Sequence, residues 1–232
     1  MKIIYRISDT GYKKIKPSYI NNENCIKNFF TVFQNEDILI LADNICQNTY
    51  KMINKYATRN NIEEVSIGHG AGTFNLALDK AILLNDNEIV YFVENDYLHR
   101  INSPYLILDG FNIGADFVTL YDHPDKYLDP KYGGNKYCHG GAENTRVYLG
   151  QYCHWKLTNS TTMTFASKVN TLKKTEMILR KWTSGNHPYD FDMFLELQSL
   201  KYSLVSPIPG YSTHGETQWL CPFTDWSSVL VS

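Results

Sequence analysis

The sequence lacks the features that mark membrane-spanning, secreted and nucleic-acid-binding proteins. No apolar run approaches the roughly 18 residues that a membrane-spanning helix needs. The first residues, MKIIYRI, are typical of a strand and not of the apolar segment of a signal peptide. The 22 Lys and Arg residues are balanced by 24 Asp and Glu residues, and no long basic run occurs. We therefore expect a protein of the cytoplasm that has no integral membrane segment and binds no nucleic acid.

Cysteine is also scarce. The five cysteines are odd in number and widely spaced, and no C-x-x-C motif occurs. This pattern predicts free thiols in a reducing compartment and argues against a zinc knuckle. Hydrophobic residues make up 43% of the 232 positions, which is enough for a core, and no internal repeat or linker is visible. We expect one domain over residues 1–232.

The first hundred residues alternate between short apolar runs and stretches with apolar residues at helical spacing. The apolar runs predict strands over Lys2–Ile7, Asp37–Leu41, Glu64–Ile67 and Ile89–Val93. The stretches between them predict helices over Asn24–Phe33, Ile45–Tyr56 and Thr73–Leu84. Such a series indicates an α/β fold with a parallel sheet that helices cover on both faces.

The second half has a mixed character. Its patterns predict helices over Ser103–Phe111, Lys168–Trp182 (with Ser167 as N-cap) and Asp190–Leu200, and strands over Phe117–Leu120, Arg146–Leu149, Tyr152–Leu157 and Thr161–Phe165. The Gly-, Tyr- and Asp-rich segment Asp122–Ala142 predicts a long loop that becomes ordered on a ligand. The tail over residues 206–226, SPIPGYSTHGETQWLCPFTDW, is dense in Pro, Gly, Trp and His and predicts irregular structure.

Polar residues follow each of the first four predicted strands. They are Arg6, Ser8, Asp9 and Thr10 after the first, Asp43 and Asn44 after the second, Gly68–Thr73 after the third, and Glu94, Asn95 and Asp96 after the fourth. Because the carboxyl ends of parallel strands meet at one edge of a sheet, all four clusters line a single cleft there. Carboxylates at this edge suit a hard divalent cation, which in turn binds phosphate. The other interpretation of the last cluster is a polar strand end that caps the next helix.

The glycine-rich turn GHGAGT has a second interpretation. A strand, G-x-G-x-G, a helix and a later strand that ends in Glu94 imitate a dinucleotide-binding fingerprint. However, Thr73 stands at the sixth position, and the turn belongs to the third strand–helix unit instead of the first. A second acid, Asp96, also stands where a ribose clamp does not need one. These departures weigh against a nicotinamide cofactor.

The order of these motifs resembles a known family. SDTG after the first strand, ADN after the second, GHGAGTFNLALDKAI and then YFVENDYLH resemble the nucleotide-binding half of GT-A glycosyltransferases, near glycosyltransferase family 2. The resemblance to a viral and bacterial branch is closer and continues through YDHPDKY, NSTTMTF, HPYDFDMF and SPIPGYSTHGETQWL. It implies a GT-A fold, the nucleotide-diphospho-sugar transferase fold, with a Rossmann-like, mostly parallel central sheet flanked by helices. Residues 1–100 would bind the nucleotide and residues 101–232 the acceptor.

The resemblance also implies roles for particular residues. Nucleotide or diphosphate binding falls to a set at the sheet edge: Arg6, Ser8, Asp9, Asp43, Gly70, Gly72, Thr73, Glu94 and Asn95. Asp96 and His214 are implied ligands of a Mn²⁺ or Mg²⁺ ion. Asp190 is the implied general base of an inverting reaction, and Asp192 is the alternative base. An aspartate is usual in the family where Asn95 stands.

The sequence thus predicts a metal-dependent, hexosyltransferase-like enzyme. It would move a monosaccharide from a nucleoside diphosphate sugar, a UDP-sugar, to a hydroxyl group of a glycan or glycoprotein, with inversion. Two alternatives remain open. A nucleotidyltransferase needs a basic residue that grips a triphosphate near the glycine turn, where only His69 is found. A non-catalytic nucleotide- or sugar-binding module would carry Asn95 as a sign of lost activity.

Overall fold

A nine-stranded sheet runs through the computed structural model, which describes residues 1–11, 14–138, 140 and 142–230. The helices and strands follow one another as β1 (Lys2–Ser8), α1 (Asn22–Val32), β2 (Asp37–Asp43), α2 (Gln47–Ile53), β3 (Ile62–Val65), α3 (Gly70–Ala81), β4 (Ile89–Glu94), β5 (Tyr97–His99), α4 (Ser103–Asn112), β6 (Phe117–Val118), β7 (Val147–Leu149), β8 (His154–Leu157), β9 (Phe165–Lys168), α5 (Val169–Trp182), α6 (Asp190–Ser199), β10 (Leu204–Ile208) and β11 (Ser212–His214).

The strand order of the large sheet is β3-β2-β1-β4-β9-β6-β10-β8-β7. Strands β1 to β4 pair in parallel, as their sequence patterns predicted. In the described part of the chain, only β8 and β9 run against the common direction of this sheet. The remaining two strands, β5 and β11, form a small antiparallel sheet of their own. The expectation of a mostly parallel α/β sheet is therefore confirmed.

Helices cover both faces of the large sheet. Alternation along β1 sends Ile3, Tyr5 and Ile7 to one face and Ile4 to the other. The first face packs against aromatic residues of α1, and the second packs against residues of α3, α5 and α6. Burial on both faces explains why these strands are nearly continuous apolar runs.

One predicted strand is wrong. Residues 161–164 do not continue β9 backwards, because Thr162 and Met163 both have left-handed backbone conformations, with φ of 47° and 58°. The strand begins only at Phe165. A pair of left-handed residues other than glycine is not visible in a hydrophobicity pattern.

The predicted N-cap at Ser167 is also wrong. Ser167 lies inside β9, and its hydroxyl group donates a hydrogen bond to the carbonyl oxygen of Asp116 at 2.9 Å. Helix α5 starts two residues later, at Val169. Pairing of β9 with both β4 and β6 holds this residue in the extended conformation.

The tail is more regular than its composition predicted. Strand β10 lies between β6 and β8, inside the sheet, although Pro207 stands in it. Proline removes a ladder donor and normally argues against an interior strand. The short strand β11 follows and pairs with β5. The irregular structure expected over residues 206–226 is therefore wrong for residues 206–208 and 212–214.

The predicted long loop, Asp122–Ala142, contains only two single 3₁₀ turns in its described part, from which His139 and Gly141 are absent. Two buried lysines hold this loop in place through ion pairs. Lys156 of β8 forms ion pairs with Asp122 at 3.1 Å and Glu143 at 3.0 Å, and Lys126 pairs with Asp125 at 3.3 Å.

The five cysteines are all free, as predicted. Within the described residues, no helix combines the length and apolarity that crossing a membrane requires.

A histidine in the core gives the fold a pH dependence. His99 of β5 is fully buried, with its Nε2 2.8 Å from the hydroxyl group of Tyr91. Burial lowers the pKa of His99 to about 3. The unfolded chain binds this proton near pH ~6.5, whereas the folded protein does not until far lower pH. His99 therefore lowers the stability of the fold as the pH falls from about 6.5 towards 3, by up to about 1.4 kcal/mol per pH unit.

We expect the His99→Gln variant to lose this contribution to the pH slope of unfolding, whatever its absolute stability. The measurement is the free energy of unfolding by urea between pH 7 and pH 4. His154→Gln, at an exposed histidine, is the control and should keep the wild-type slope. If the unfolding free energies of the wild type and His99→Gln have the same pH slope, His99 takes up its proton at the same pH in the folded protein as in the unfolded chain.

Candidate functional site

The carboxyl ends of β1, β2 and β4 open into a cleft of about 1000 Å³. Most of the predicted site residues line it: Arg6, Ser8, Asp9, Asp43, Gly70, Thr73, Glu94, Asn95, Asp96, Asp190 and His214. Gly72 and Asp192 lie outside this lining. The structure thus brings together the residues at the ends of β1, β2 and β4, as the parallel order of the strands predicts, and adds Asp190 and His214, which are far away along the chain.

Arg6 is buried in the wall of the cleft and contacts three residues there. Its Nη2 atom donates to the carbonyl oxygen of Met163 at 2.8 Å, and Nη1 donates to that of Gly70 at 3.2 Å. Nη2 also lies 3.3 Å from Glu94 Oε1. Burial lowers the pKa of Arg6, and Glu94 acts against that shift. The side chain of Arg6 is only 4% exposed. Its contacts therefore lie inside the wall of the cleft, where they connect Met163, Gly70 and Glu94.

Asp9 and Asp43 both accept hydrogen bonds from the loops beside them. Asp9 accepts from the Cys46 amide at 2.6 Å and from the Thr49 hydroxyl group at 2.7 Å. Burial acts to raise the pKa of Asp9, but the bonds from Thr49 and Cys46 outweigh it and lower the pKa. Asp43 accepts from the amides of Ile67 and Gly68, at 2.6 Å and 2.8 Å. These carboxylates therefore shape the loops of the cleft in addition to any contact with a ligand.

The glycines of the turn differ in what they do. A Cβ atom on Gly72 would lie 2.5 Å from Ile67 and 2.7 Å from His69, so close packing requires glycine there. His69 is the N-cap of α3, and its Nδ1 accepts from the Gly72 amide at 3.0 Å. A Cβ atom on Gly70 would have its nearest neighbour, Glu94, at 3.9 Å, and Gly70 faces the cleft. Gly68 also lines the cleft, so these two are the glycines of the turn that a ligand would meet.

The three residues after β4 have three different partners. Glu94 pairs with Arg6. The side-chain amide of Asn95 donates to Asn22 Oδ1 at 2.6 Å and to the carbonyl oxygen of Ser8 at 3.4 Å. This contact joins the strand end to the start of α1. No local pattern in the sequence indicates it, because Asn22 is far away along the chain.

Asp96 is the buried acid of the site. Strand β11 pairs with β5 so that His214 is opposite Tyr97, which brings His214 Nε2 to 3.4 Å from Asp96 Oδ2. Gly215 permits this approach, since a Cβ atom there would lie 2.9 Å from the carbonyl oxygen of Asp96. The other oxygen, Asp96 Oδ1, is buried without a hydrogen-bond partner.

Two lysines that the sequence interpretation missed also reach Asp96. Lys16 Nζ lies 2.9 Å from Asp96 Oδ2, and Lys14 Nζ lies 3.5 Å from it. Burial acts to raise the pKa of Asp96, but His214, Lys14 and Lys16 outweigh it and hold the pKa well below its usual range. The signal in the sequence was the basic segment KKIK soon after the first strand.

Asp190 enters the cleft from the start of α6. Its Oδ2 atom accepts from the amides of Thr161 and Thr162, both at 2.7 Å. These are the residues at the left-handed turn before β9, and Thr162 and Met163 also line the cleft. Asp192, two residues further along α6, is half-buried and lies outside the lining.

No protein-family model and no curated protein sequence matches the chain. Among solved structures, it is similar to GalNAc-T7 in a crystal structure with UDP, GalNAc and Mn²⁺, at a TM-score of 0.57 and 9% identity over 94% of this chain and 44% of that chain. It also matches the galactosyltransferase LgtC in complex with donor and acceptor sugar analogs, at a TM-score of 0.45 and 12% identity over 89% of this chain and 73% of that chain. A third match is A197 from STIV, at a TM-score of 0.42 and 14% identity over 89% and 81%.

The likeness to GalNAc-T7 shows the fold alone, because the identity is so low. Together with the mixed sheet and its flanking helices, it shows that the chain has the GT-A fold that the sequence resemblance implied. The chain spans less than half of GalNAc-T7.

The contacts of Asn95 generate a prediction. In the Asn95→Asp variant, a carboxylate would face two acceptor oxygens, those of Asn22 and Ser8, and the donor between them would be lost. We expect a loss of about 1–3 kcal/mol in the free energy of unfolding at pH 7. Asn48→Asp, at an exposed position of α2, adds the same charge and should change stability little. The measurement is the free energy of unfolding by chemical denaturation. If Asn95→Asp is as stable as the wild type, the side-chain amide of Asn22 turns and donates to the new carboxylate without loss of stability.

Proposed function

We propose that the protein is a glycosyltransferase that moves a monosaccharide from a nucleoside diphosphate sugar to a hydroxyl group of an acceptor. The observation that carries this proposal is the convergence of Asp96, His214 and Asp190 on one cleft at the carboxyl edge of a GT-A sheet. GalNAc-T7, which shares the fold, has UDP, GalNAc and Mn²⁺ in its crystal structure, and this supports a UDP-sugar as the donor here. In this proposal residues 1–232 act as one domain, with residues 1–100 binding the nucleotide.

The residues present fit a divalent cation that is shared with a diphosphate. The described chain contains no group of three His, Cys, Asp or Glu residues that could hold a metal alone. It does offer Asp96, with the unpartnered Oδ1 atom, and His214 beside it. Cations such as Mg²⁺ are commonly held by one or two protein ligands together with substrate phosphates. We propose that Asp96 and His214 hold Mn²⁺ or Mg²⁺, which would neutralise charge on the departing diphosphate.

The nucleotide would lie along the edge formed by β1, β2 and β4. Asp9 and Asp43 are fixed there by hydrogen bonds from their own loops, so their orientation is set before a ligand arrives. Such preorganisation lowers the entropy cost of recognising a base or ribose. Gly70 leaves space beside Glu94 for the ligand to approach the backbone.

Asp190 is our proposed general base. The amides of Thr161 and Thr162 hold one carboxylate oxygen, Oδ2, which orients the group towards the cleft. The acceptor hydroxyl would give its proton to Asp190 while its oxygen attacks the anomeric carbon and the bond to the diphosphate breaks on the opposite face. That course inverts the configuration. A glycan or glycoprotein acceptor would bind beside the long loop of the second half.

The base assignment predicts unequal effects of two matched variants. Asp190→Asn keeps the shape of the side chain but removes the proton acceptor, so sugar transfer should fall by about 10²–10⁴-fold. Asp192→Asn should have little effect, because Asp192 lies outside the cleft lining. The measurement is UDP release from a panel of UDP-sugars with candidate acceptors at saturation, together with UDP affinity, which both variants should keep. A larger loss from Asp192→Asn would transfer the role of base to that residue.

The same assay, repeated with nucleoside triphosphates and sugar phosphates, separates the alternative functions. A glycosyltransferase releases UDP from a UDP-sugar, a nucleotidyltransferase releases pyrophosphate from a nucleoside triphosphate, and a binding module releases neither. Release of pyrophosphate alone would overturn the proposal.

The metal assignment predicts coupling between cation and nucleotide. We expect UDP to bind at least about tenfold more tightly with Mn²⁺ than with EDTA, because diphosphate oxygens complete the ligand set of the cation. Asp96→Ala should abolish this difference. Isothermal titration calorimetry tests both statements, and equal UDP affinity of the wild type in Mn²⁺ and in EDTA would refute the metal assignment.

A further inference from the structure

The contacts of Asp96 contain more cationic groups than one carboxylate needs. Lys14, Lys16 and His214 all approach the same oxygen, Oδ2, at 3.5, 2.9 and 3.4 Å. Lys14 Nζ also lies 2.7 Å from His214 Nε2. Two ammonium groups, those of Lys14 and Lys16, therefore surround the single carboxylate of Asp96.

Four other acids of the cleft have partners of their own. Asp9, Asp43 and Asp190 accept bonds from neighbouring amides, and Glu94 pairs with Arg6. A fifth acid, Glu216, lines the cleft two residues after His214. The ammonium groups of Lys14 and Lys16 are held by Asp96, and a pair of ammonium groups at this place suits an anion, which in the proposed function is a diphosphate.

The backbone that carries the two lysines is fixed, whereas their side chains are free to pivot. Both the amide and the hydroxyl group of Thr217 donate to the carbonyl oxygen of Ile15, at 2.8 Å and 2.9 Å. The lysine side chains are 20% and 31% exposed, compared with 10% for that of Asp96. A lysine has a flexible four-carbon stem and forms no fixed fork with a carboxylate. Each ammonium group can thus leave Asp96 while its Cα atom stays at the cleft.

A divalent cation and the two ammonium groups compete for one carboxylate, because the unpartnered Oδ1 atom belongs to the same group as the Oδ2 atom that the ammonium groups approach. Like charges a few ångströms apart repel strongly in a partly buried site. A cation alone would therefore have to displace the lysines without giving them a new partner. A diphosphate removes that obstacle, because its oxygens accept the ammonium groups.

We propose that Lys14 and Lys16 are exchangeable counter-ions, which neutralise Asp96 in the free protein and bind the diphosphate in the donor complex. This exchange frees Asp96 and His214 for the cation only when the nucleotide is present. The proposal rests on the proposed function, and it adds two diphosphate-binding residues and a reason why cation and nucleotide bind together.

The test compares Lys14→Met, Lys16→Met and the double variant with the wild type. Methionine keeps an unbranched stem and removes the charge. The control is Lys173→Met, which breaks an ion pair to Asp86 of 2.6 Å on the surface of α5. Mn²⁺ binding without nucleotide is measured from the electron paramagnetic resonance signal of the free ion, and UDP binding at saturating Mn²⁺ is measured by calorimetry. Circular dichroism verifies that each variant is folded.

The exchange predicts effects of opposite sign. The cleft variants should bind Mn²⁺ alone about tenfold more tightly and UDP about tenfold more weakly, while Lys173→Met changes neither affinity. A loss of both affinities, or variants that bind Mn²⁺ no better than the wild type does, would overturn the exchange. Equal UDP binding by the wild type in EDTA and in Mn²⁺ would also overturn it, since the lysines would then replace the cation. If the wild type binds no UDP at all, the proposed function fails, and the Mn²⁺ arm still decides whether the lysines compete with a cation.

Discussion

The arrangement of the cleft depends on the buried guanidinium group of Arg6. It joins three segments that share no secondary structure: the end of β4 through Glu94, the start of α3 through Gly70, and the left-handed turn through Met163. Two successive left-handed residues other than glycine cost of order 1–3 kcal/mol each, and such strain persists only where surrounding contacts enforce it. Charge-assisted bonds to Arg6 on one side of the turn, and from its amides to Asp190 on the other, supply that enforcement.

This arrangement connects the two halves of the proposed reaction centre. The turn that Arg6 holds from the nucleotide side is the turn that orients the carboxylate of Asp190 from the acceptor side. Residues 161–163 contact both Arg6 and Asp190, so a displacement of either side chain moves the backbone that contacts the other. Because the Arg6 side chain is 4% exposed and contacts Glu94 and two carbonyl oxygens, it fixes the geometry of the cleft wall.

The sequence predicted those parts of the molecule that local patterns determine. Apolar runs that end in polar clusters located β1, β2 and β4, and the parallel order of strands then placed Asp9, Asp43 and Glu94 at one edge. It did not reveal features that depend on long-range contacts. The left-handed turn at Thr162, the interior strand around Pro207 and the bond between Asn95 and Asn22 are all stabilised by residues far away along the chain. His214 was placed beside Asp96 only through the family resemblance, and its β-pairing supplies the physical reason.

The acids of the cleft differ in how firmly their charges are compensated, and this difference determines where a charged ligand can act. Backbone amides hold Asp9 and Asp43, and an amide cannot leave without moving its loop. Glu94 faces an arginine that is 4% exposed and bound to two carbonyl oxygens, so that partner is fixed as well. Asp96 alone among these four acids faces lysines on flexible, partly exposed stems. A diphosphate and its cation can therefore rearrange the charges around Asp96 while the rest of the cleft stays as it is.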